Sequence, residues 1–435
     1  MDSEAMSTCK KARVEPTSVV SADRLSSLPT EIKGKILSCL KVEEAVRTSI
    51  LSTTWRDAWA NMPGIYLHEG NFARTKFIML VDMVLALYKG TIEQFGILSV
   101  KRSYHDEFAR WMLMLSRRSP RSVIIELNSG PRYRIPSCLF SIDGLMSLRL
   151  KNCIISLPRV FQGFKRLTLL FLKRFSSTDR DIQNLLSFCP ELTNLRLSSF
   201  EGINCLNIQA PKLESLHVDG DFEEINLGAP NLHEAILSTP KAKSYQSVSV
   251  AHDKEGYVKL PLGSLSEIKT LAIFGFMKYL SKGCILMKPP AVFTRLENFY
   301  LAICFWDQRQ VLTACSLLQN APNLKKLHIR SDPLSTRDQD QVSIQGLTLE
   351  MQMDHLIMAS MIFFKGLDYE VDFLAKLLSC TPALEEVKIE VDGRNGPQHG
   401  SYQAISSSKG VSQGQDHCYM ISMPPHHFAD LICCR

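Results

Sequence analysis

Six side chains near the C-terminus carry atoms that bind zinc: His417, Cys418, His426, His427, Cys433 and Cys434. Tetrahedral coordination by imidazole and thiolate is the chemistry they would support. The adjacent pairs lack the spacings that let a loop wrap one ion, so no metal site is expected and the tail composition stands as accidental. Elsewhere there is no glycine loop to cradle phosphate, no G-x-S-x-G elbow and no H-E-x-x-H pair. Carboxylates and histidines are scattered, so no catalytic residue and no cofactor is expected. A different chemistry belongs to Arg149, Phe171, Arg196, His217, Tyr300 and His328. Guanidinium, imidazole and aromatic groups of this kind hold a partner rather than transform it.

These residues owe their relation to a repeat. The phrase Cys-Pro-Glu-Leu-Thr-Asn-Leu-Arg-Leu at 189–197 returns at 210–218, 229–237, 321–329 and 381–389. Its shared core is L-x-x-L-x-L, whose last three residues alternate inward and outward as a short strand. Weaker copies run through Ile92-Phe95-Ile97, Ile125-Leu127, Leu145-Leu148-Leu150 and Leu167-Leu170-Leu172. Three more lie at Ile268-Leu271-Ile273, Leu296-Phe299-Leu301 and Leu356-Ala359-Met361. The marker positions 120, 143, 165, 190, 211 and 230 step by 19 to 25 residues, the period of leucine-rich repeats. No single repeat can bury its own leucines, so the copies must stack into a solenoid with one continuous core.

The residue between the last two apolar positions then faces the concave side. In order these are Gly96, Glu126, Arg149, Phe171, Arg196, His217, Ile236, Ala272, Tyr300, His328, Ser360 and Lys388. Positive and aromatic groups outnumber acids among them, so the expected cargo is an acidic or phosphorylated protein segment. Helical periodicity over 74–88, 107–115, 179–187, 310–318 and 371–378 supplies return segments on the convex side.

Residues 23–59 follow another rule. Leu28-Pro29 opens a helix, and Ile32, Ile36, Leu37 and Leu40 recur at helical spacing. A second helix is expected over 42–48, and a third from Ser52 through Trp55 and Trp59. So small a unit with so many large apolar groups must bury some of them against something else.

The order Leu-Pro-x-Glu-Ile-x-x-x-Ile-Leu, Glu-Ala-Val-Arg-Thr-Ser-Ile-Leu-Ser and Trp-Arg-x-x-Trp resembles an F-box. That resemblance implies docking on the Skp-type adaptor of a cullin-RING ubiquitin ligase, with contacts from Leu28, Pro29, Ile32, Ile36, Leu37, Val46, Leu51 and Trp55. One departure is Thr53-Thr54, where relatives usually carry basic residues before the tryptophan. Pro-Ser-Cys-Leu-Phe at 136–140, Phe-x-Gly-Phe at 161–164, Ala-Pro-x-Leu at 210–213 and Gly-Leu-Asp-Tyr-Glu-Val-Asp-Phe at 366–373 follow. With the repeats, they make residues 23–392 similar to the F-box/FBD/leucine-rich-repeat proteins numerous in plants.

The expected fold class is therefore α/β: a three-helix F-box, then a leucine-rich-repeat solenoid with parallel concave strands and helical or irregular returns. The expected division is a disordered tail over 1–20, the F-box over 21–66 and the solenoid over 67–392. An exposed loop is expected at 239–260, and a disordered tail without the family's terminal strand at 393–435.

A chain of 435 residues with 45% hydrophobic and 22% charged content suits such an array. A net charge of +6 spread over this length does not argue for nucleic acid, and no segment reads as membrane-spanning. Thirteen cysteines without a C-x-x-C pair suit reduced thiols, hence the nucleus and/or cytoplasm. The implied function is the substrate-recognition subunit of a ubiquitin ligase of the SCF type, itself not an enzyme. The alternatives are an F-box protein without a ligase role, a degenerate copy, or a leucine-rich-repeat receptor for a small ligand.

Overall fold

Two apolar side chains separated by one outward residue can bury only one face of a strand. In the computed structural model this pattern gathers into a single long sheet. The structure describes residues 24–70, 72–99, 104–128, 130–239, 262–277, 280, 292–332, 352–392, 411–413 and 418–423. Two compact units divide the chain: 1–63 with 88–90, and 64–87 with 91–435.

The first unit holds α1 (Thr30–Leu37) and α2 (Val42–Thr48), with Pro29 immediately before α1. Leu37, Val42, Ala45, Ala58, Trp59 and Met62 form its core. The third α-helix expected from Ser52 is absent: successive turns lead into a single 3₁₀ turn at Ala58–Asn61. The backbone bonds span three residues, from the N–H groups of Trp55, Arg56 and Ala58 to the carbonyls of Ser52, Thr53 and Trp55, so the segment winds as turns rather than as an α-helix.

The second unit begins with β1 (Gly64–His68), α3 (Arg74–Leu87), β2 (Gln94–Ser99), α4 (His105–Ser116) and β3 (Ser122–Leu127). Then come β4 (Tyr133–Arg134), β5 (Ser147–Lys151), β6 (Cys153–Ile154), β7 (Leu169–Lys173), α5 (Asp179–Ser187) and β8 (Asn194–Ser198). They are followed by β9 (Cys205–Gln209), β10 (Ser215–Asp219), β11 (Glu224–Gly228), β12 (Glu234–Ser238) and β13 (Thr270–Phe274). The rest are β14 (Asn298–Ile303), β15 (Lys326–Ser331), β16 (Met358–Phe364), β17 (Glu386–Asp392), β18 (Val411–Gln413) and β19 (Cys418–Met423). Further helices span Gln308–Gln319 and Asp368–Ser379.

Fifteen strands join in one sheet, in the order β1-β2-β3-β5-β7-β8-β10-β12-β13-β14-β15-β16-β17-β19-β18. All neighbours from β1 to β17 run parallel. Two apolar rows lie beneath it; one runs Leu150, Leu172, Leu197, Val218, Leu237, Ile273, Leu301 and Ile329. Each is buried, which makes the core continuous from repeat to repeat. Left-handed residues end several strands, among them Asn152 (φ 64), Arg174 (φ 52) and Ser199 (φ 53), turning the chain off the sheet at one level.

Three features differ from the sequence reading. β1 extends the sheet one strand earlier, because Ile65 and Leu67 are buried in register with Phe95 and Ile97. Small pairs β4–β6 and β9–β11 were not expected; Leu206-Asn207-Ile208 beside Ile225-Asn226-Leu227 carries the same alternation. Past 393, where no strand was expected, β19 pairs antiparallel with β17 and β18 with β19. That pairing occupies backbone groups which β17 would otherwise leave open at the sheet edge. Finally, the degenerate repeat does fall at 358–364, as Leu356-Ala359-Met361 predicts. The loop at 239–260 lies outside the described residues except Thr239, a buried residue bonded to Asp221. The tail over 1–20 lies outside them too.

Candidate functional site

In the first unit the apolar side chains separate into two sets. Ile50 and Leu51 are 84% and 82% exposed, and Ile32 and Ile36 are 40% and 41% exposed. Pro29 is exposed, while Leu28, Val46 and Trp55 are half-buried. Leu37 is a correction: it is buried at 2% exposure and serves as internal packing rather than contact surface, because its position on α1 turns it toward the unit's core.

Lys33 is also buried, and its ammonium donates to the carbonyls of Ser26 (2.7 Å) and Thr54 (3.3 Å). It sits 5.7 Å from the Trp55 ring. A charged group thus fastens the turn before α1 to the segment carrying Trp55. Thr54 also bonds Ser26 through its hydroxyl, which gives the residue standing at the departure from the family pattern a local role.

On the second unit one register row crosses the sheet: Gly96, Ile124, Arg149, Phe171, Arg196, His217, Ile236, Ala272, Tyr300, His328, Ser360 and Lys388. Every residue expected there occupies it except Glu126. Ile124 takes that place, and Glu126 stands one pleat further along, opposite Lys151. The cause is the pairing of Val123, rather than Ile125, with Phe95 and Leu148.

Within the row, the guanidinium carbons of Arg149 and Arg196 lie 5.8 and 5.6 Å from the Phe171 ring centre. These three residues, with Asn194, Ser215 and His217, line one hollow. Further along, Tyr300 and His328 stack with ring centres 4.3 Å apart and planes 6° from parallel. His328 Nδ1 is 2.6 Å from Ser360 Oγ. Burial lowers the His328 pKa below the usual 6.5, helped by the charges of Lys326 and Lys388. Arg330 reaches over Ala302 to the Phe274 ring at 5.2 Å and is tied to Asp332.

Sequence comparison agrees with both units. The F-box domain family matches residues 25–64. A second family, the leucine-rich repeats described for the FBD-associated F-box protein At5g56370, matches residues 108–329, about half of the chain. The chain belongs to the F-box/FBD/LRR-repeat family. It is 29% identical over 386 residues to the F-box/FBD/LRR-repeat protein At1g13570 of Arabidopsis thaliana, covering 85% of this chain and 91% of that protein. Against the FBD-associated F-box protein At4g10400 of the same plant it is 27% identical over 341 residues, covering 71% and 78%. It is therefore an F-box protein with a leucine-rich-repeat solenoid.

The F-box and the solenoid's concave row are distinct surfaces on separate units. Among the described residues no three His, Cys, Asp or Glu side chains converge as metal ligands. The zinc-type residues of the tail lie outside the described residues, apart from the backbone of Cys418 in β19. No described helix is long and apolar enough to cross a membrane.

Sequence reasoning missed two buried carboxylates. Glu370 opens the Asp368–Ser379 helix and accepts from Ser331 Oγ and from the N–H groups of Lys365 and Leu367. Glu69 accepts from Ser99 Oγ at 2.8 Å. The capping spacing of Glu370, three residues after Leu367, was the available signal for the first.

Proposed function

We propose that this protein is the substrate-recognition subunit of an SCF-type cullin-RING ubiquitin ligase. The F-box would dock the Skp-type adaptor, and through it a cullin, using Leu28, Pro29, Ile32, Ile36, Val46, Leu51 and Trp55. The observation that carries this is the number of exposed large apolar side chains on so small a unit: Ile32, Ile36, Ile50 and Leu51, with Leu25 and Leu40 exposed as well. Burying one such side chain in an interface gives about 1.5–3 kcal/mol.

The concave row receives the target protein, with Arg149, Phe171, Arg196, His217, Tyr300 and His328 as its contact residues. Arg149 and Arg196 have no carboxylate in ion-pair reach among the described residues, so an acidic or phosphorylated segment suits them. Catalysis belongs to the assembled ligase, to which this chain contributes proximity rather than an acid, base or nucleophile. Free thiols at the eight cysteines whose side chains are described suit action in the nucleus and/or cytoplasm.

Reconstitution tests the proposal. The full chain with a purified adaptor, cullin-RING core and conjugating enzyme should transfer ubiquitin to a protein captured by the solenoid. Adaptor binding without transfer to any captured protein would leave an F-box protein with no ligase role.

A further inference from the structure

Four cations crowd one end of the concave face. Arg149 and Lys151 stand on β5, Lys173 on β7 and Arg196 on β8, each alternating with buried leucines and so sharing one side of the sheet. Among the described residues none of the four is drawn into an ion pair, and one acid, Glu126, stands opposite Lys151 on β3. An arginine stacked on an aromatic ring keeps its N–H fork available to an anion, and Phe171 holds both arginines in that way. The four charges lie within two strand spacings of about 4.8 Å each. One carboxylate neutralises only one of them, whereas a phosphorylated side chain brings close to two negative charges and three acceptor oxygens.

From β12 onward the same face changes character. Ile236 is half-buried, its neighbour Ala272 is covered, and the Tyr300–His328 stack continues this apolar stretch. Of the cations on this part of the face, Asp332 holds Arg330 and Glu386 holds Lys388, which leaves Lys326 as the one without an ion pair among the described residues. Phe171 on β7 and Tyr300 on β14 are separated by β8, β10, β12 and β13. Five spacings make about 24 Å on a flat sheet, and less along the inside of a curve. An extended peptide advances about 3.3 Å per residue, so about five to seven residues bridge the two ends.

We infer that the target segment lies across the strands as an extended, two-ended peptide. A phosphorylated serine or threonine sits on Arg149, Lys151, Lys173 and Arg196. An aliphatic or aromatic side chain about five to seven residues away sits on Ile236 and Tyr300. The inference rests on the receptor reading above and narrows its cargo.

The test immobilises the full-length protein and offers three synthetic peptide libraries. Each has one fixed position, phosphothreonine, glutamate or threonine, with all other positions randomised. The phosphothreonine library should be retained about tenfold better than the others, as charge-assisted bonds of this strength give. Its retained peptides should be enriched in Leu, Ile or Phe about five to seven positions from the phosphate. Arg149→Glu with Arg196→Glu should abolish the phosphate preference. Ile236→Ser with Tyr300→Ser should keep that preference and erase the apolar enrichment. Equal retention of all three libraries, or of none, overturns the inference, as does phosphate-dependent retention with a flat profile elsewhere. Adaptor binding and ubiquitin transfer by the same preparation judge the receptor reading separately.

Discussion

Gly34 of α1 lies directly against the backbone of Asn61: a Cβ at Gly34 would sit 2.4 Å from the Asn61 carbonyl oxygen. Helix and 3₁₀ turn therefore meet at a contact with no room for a methyl group. Gly34→Ala should loosen this packing by about 1–3 kcal/mol, the usual cost of overfilling a close contact. Hydrogen exchange at the amides of α1 reads the effect. Faster exchange there, with unchanged protection in β10 and β12, is expected.

Glu370 carries a second structural prediction. Its carboxylate is fully buried and accepts three hydrogen bonds from Ser331, Lys365 and Leu367. Glu370→Gln keeps the shape but sets an amide NH₂ against donors that need an acceptor. The loss should be about 1–3 kcal/mol of unfolding free energy, measured by denaturant titration of the full chain. Glu370→Ala should cost at least as much.

Histidine 328 ties stability to pH. Burial, then Lys326 and Lys388, hold its pKa below the usual 6.5. As pH falls past about 6.5 the unfolded chain takes up the proton first, so the folded state loses stability until its own lower pKa is passed. Above that window the contribution is complete. His328→Phe keeps a ring against Tyr300 but cannot titrate. Between about pH 7 and 5 the unvaried protein should lose more unfolding free energy than this variant, in parallel denaturant titrations.

Thiol reactivity should follow burial. Desolvation pushes the thiols of Cys153 and Cys189 to about 12 and that of Cys315 to about 11. Thiolate is the reacting form, so these three should resist iodoacetamide near pH 8 in the folded protein. Cys39 is exposed and should be labelled. Peptide mass spectrometry before and after denaturation makes the comparison.

The repeats were legible because their signal is periodic and redundant. Leu195-Arg196-Leu197 and its copies repeat the same alternation, so even a degenerate copy at Ala359-Ser360-Met361 could be placed once the register was known. Register failed at β3, where Val123, Ile125 and Leu127 are all buried and several alignments look alike. The missing third helix was hidden because Trp55 and Trp59 fit helical spacing, while the backbone bonds of the segment span three residues rather than four. Strand β18 went unseen because it lies in a stretch rich in Ser, Gly and Gln, and β19 because its apolar run follows that stretch outside the repeat period; their pairing comes from the open edge of β17. Which face residues are cationic could be read in sequence. That Arg149 and Arg196 share one aromatic ring could not, since the contact exists only across three paired strands.

Separable surfaces are the core of the proposed function, and one binding experiment examines them together. Purified Skp-type adaptor is titrated by calorimetry into the full chain, into Ile36→Asp with Leu51→Asp, and into Arg149→Glu with Arg196→Glu. The account predicts that the first double variant loses at least about tenfold in adaptor affinity, from about 1.5–3 kcal/mol per lost apolar contact. The second should bind the adaptor as the unvaried chain does. Undiminished adaptor binding by the Ile36/Leu51 variant would contradict it.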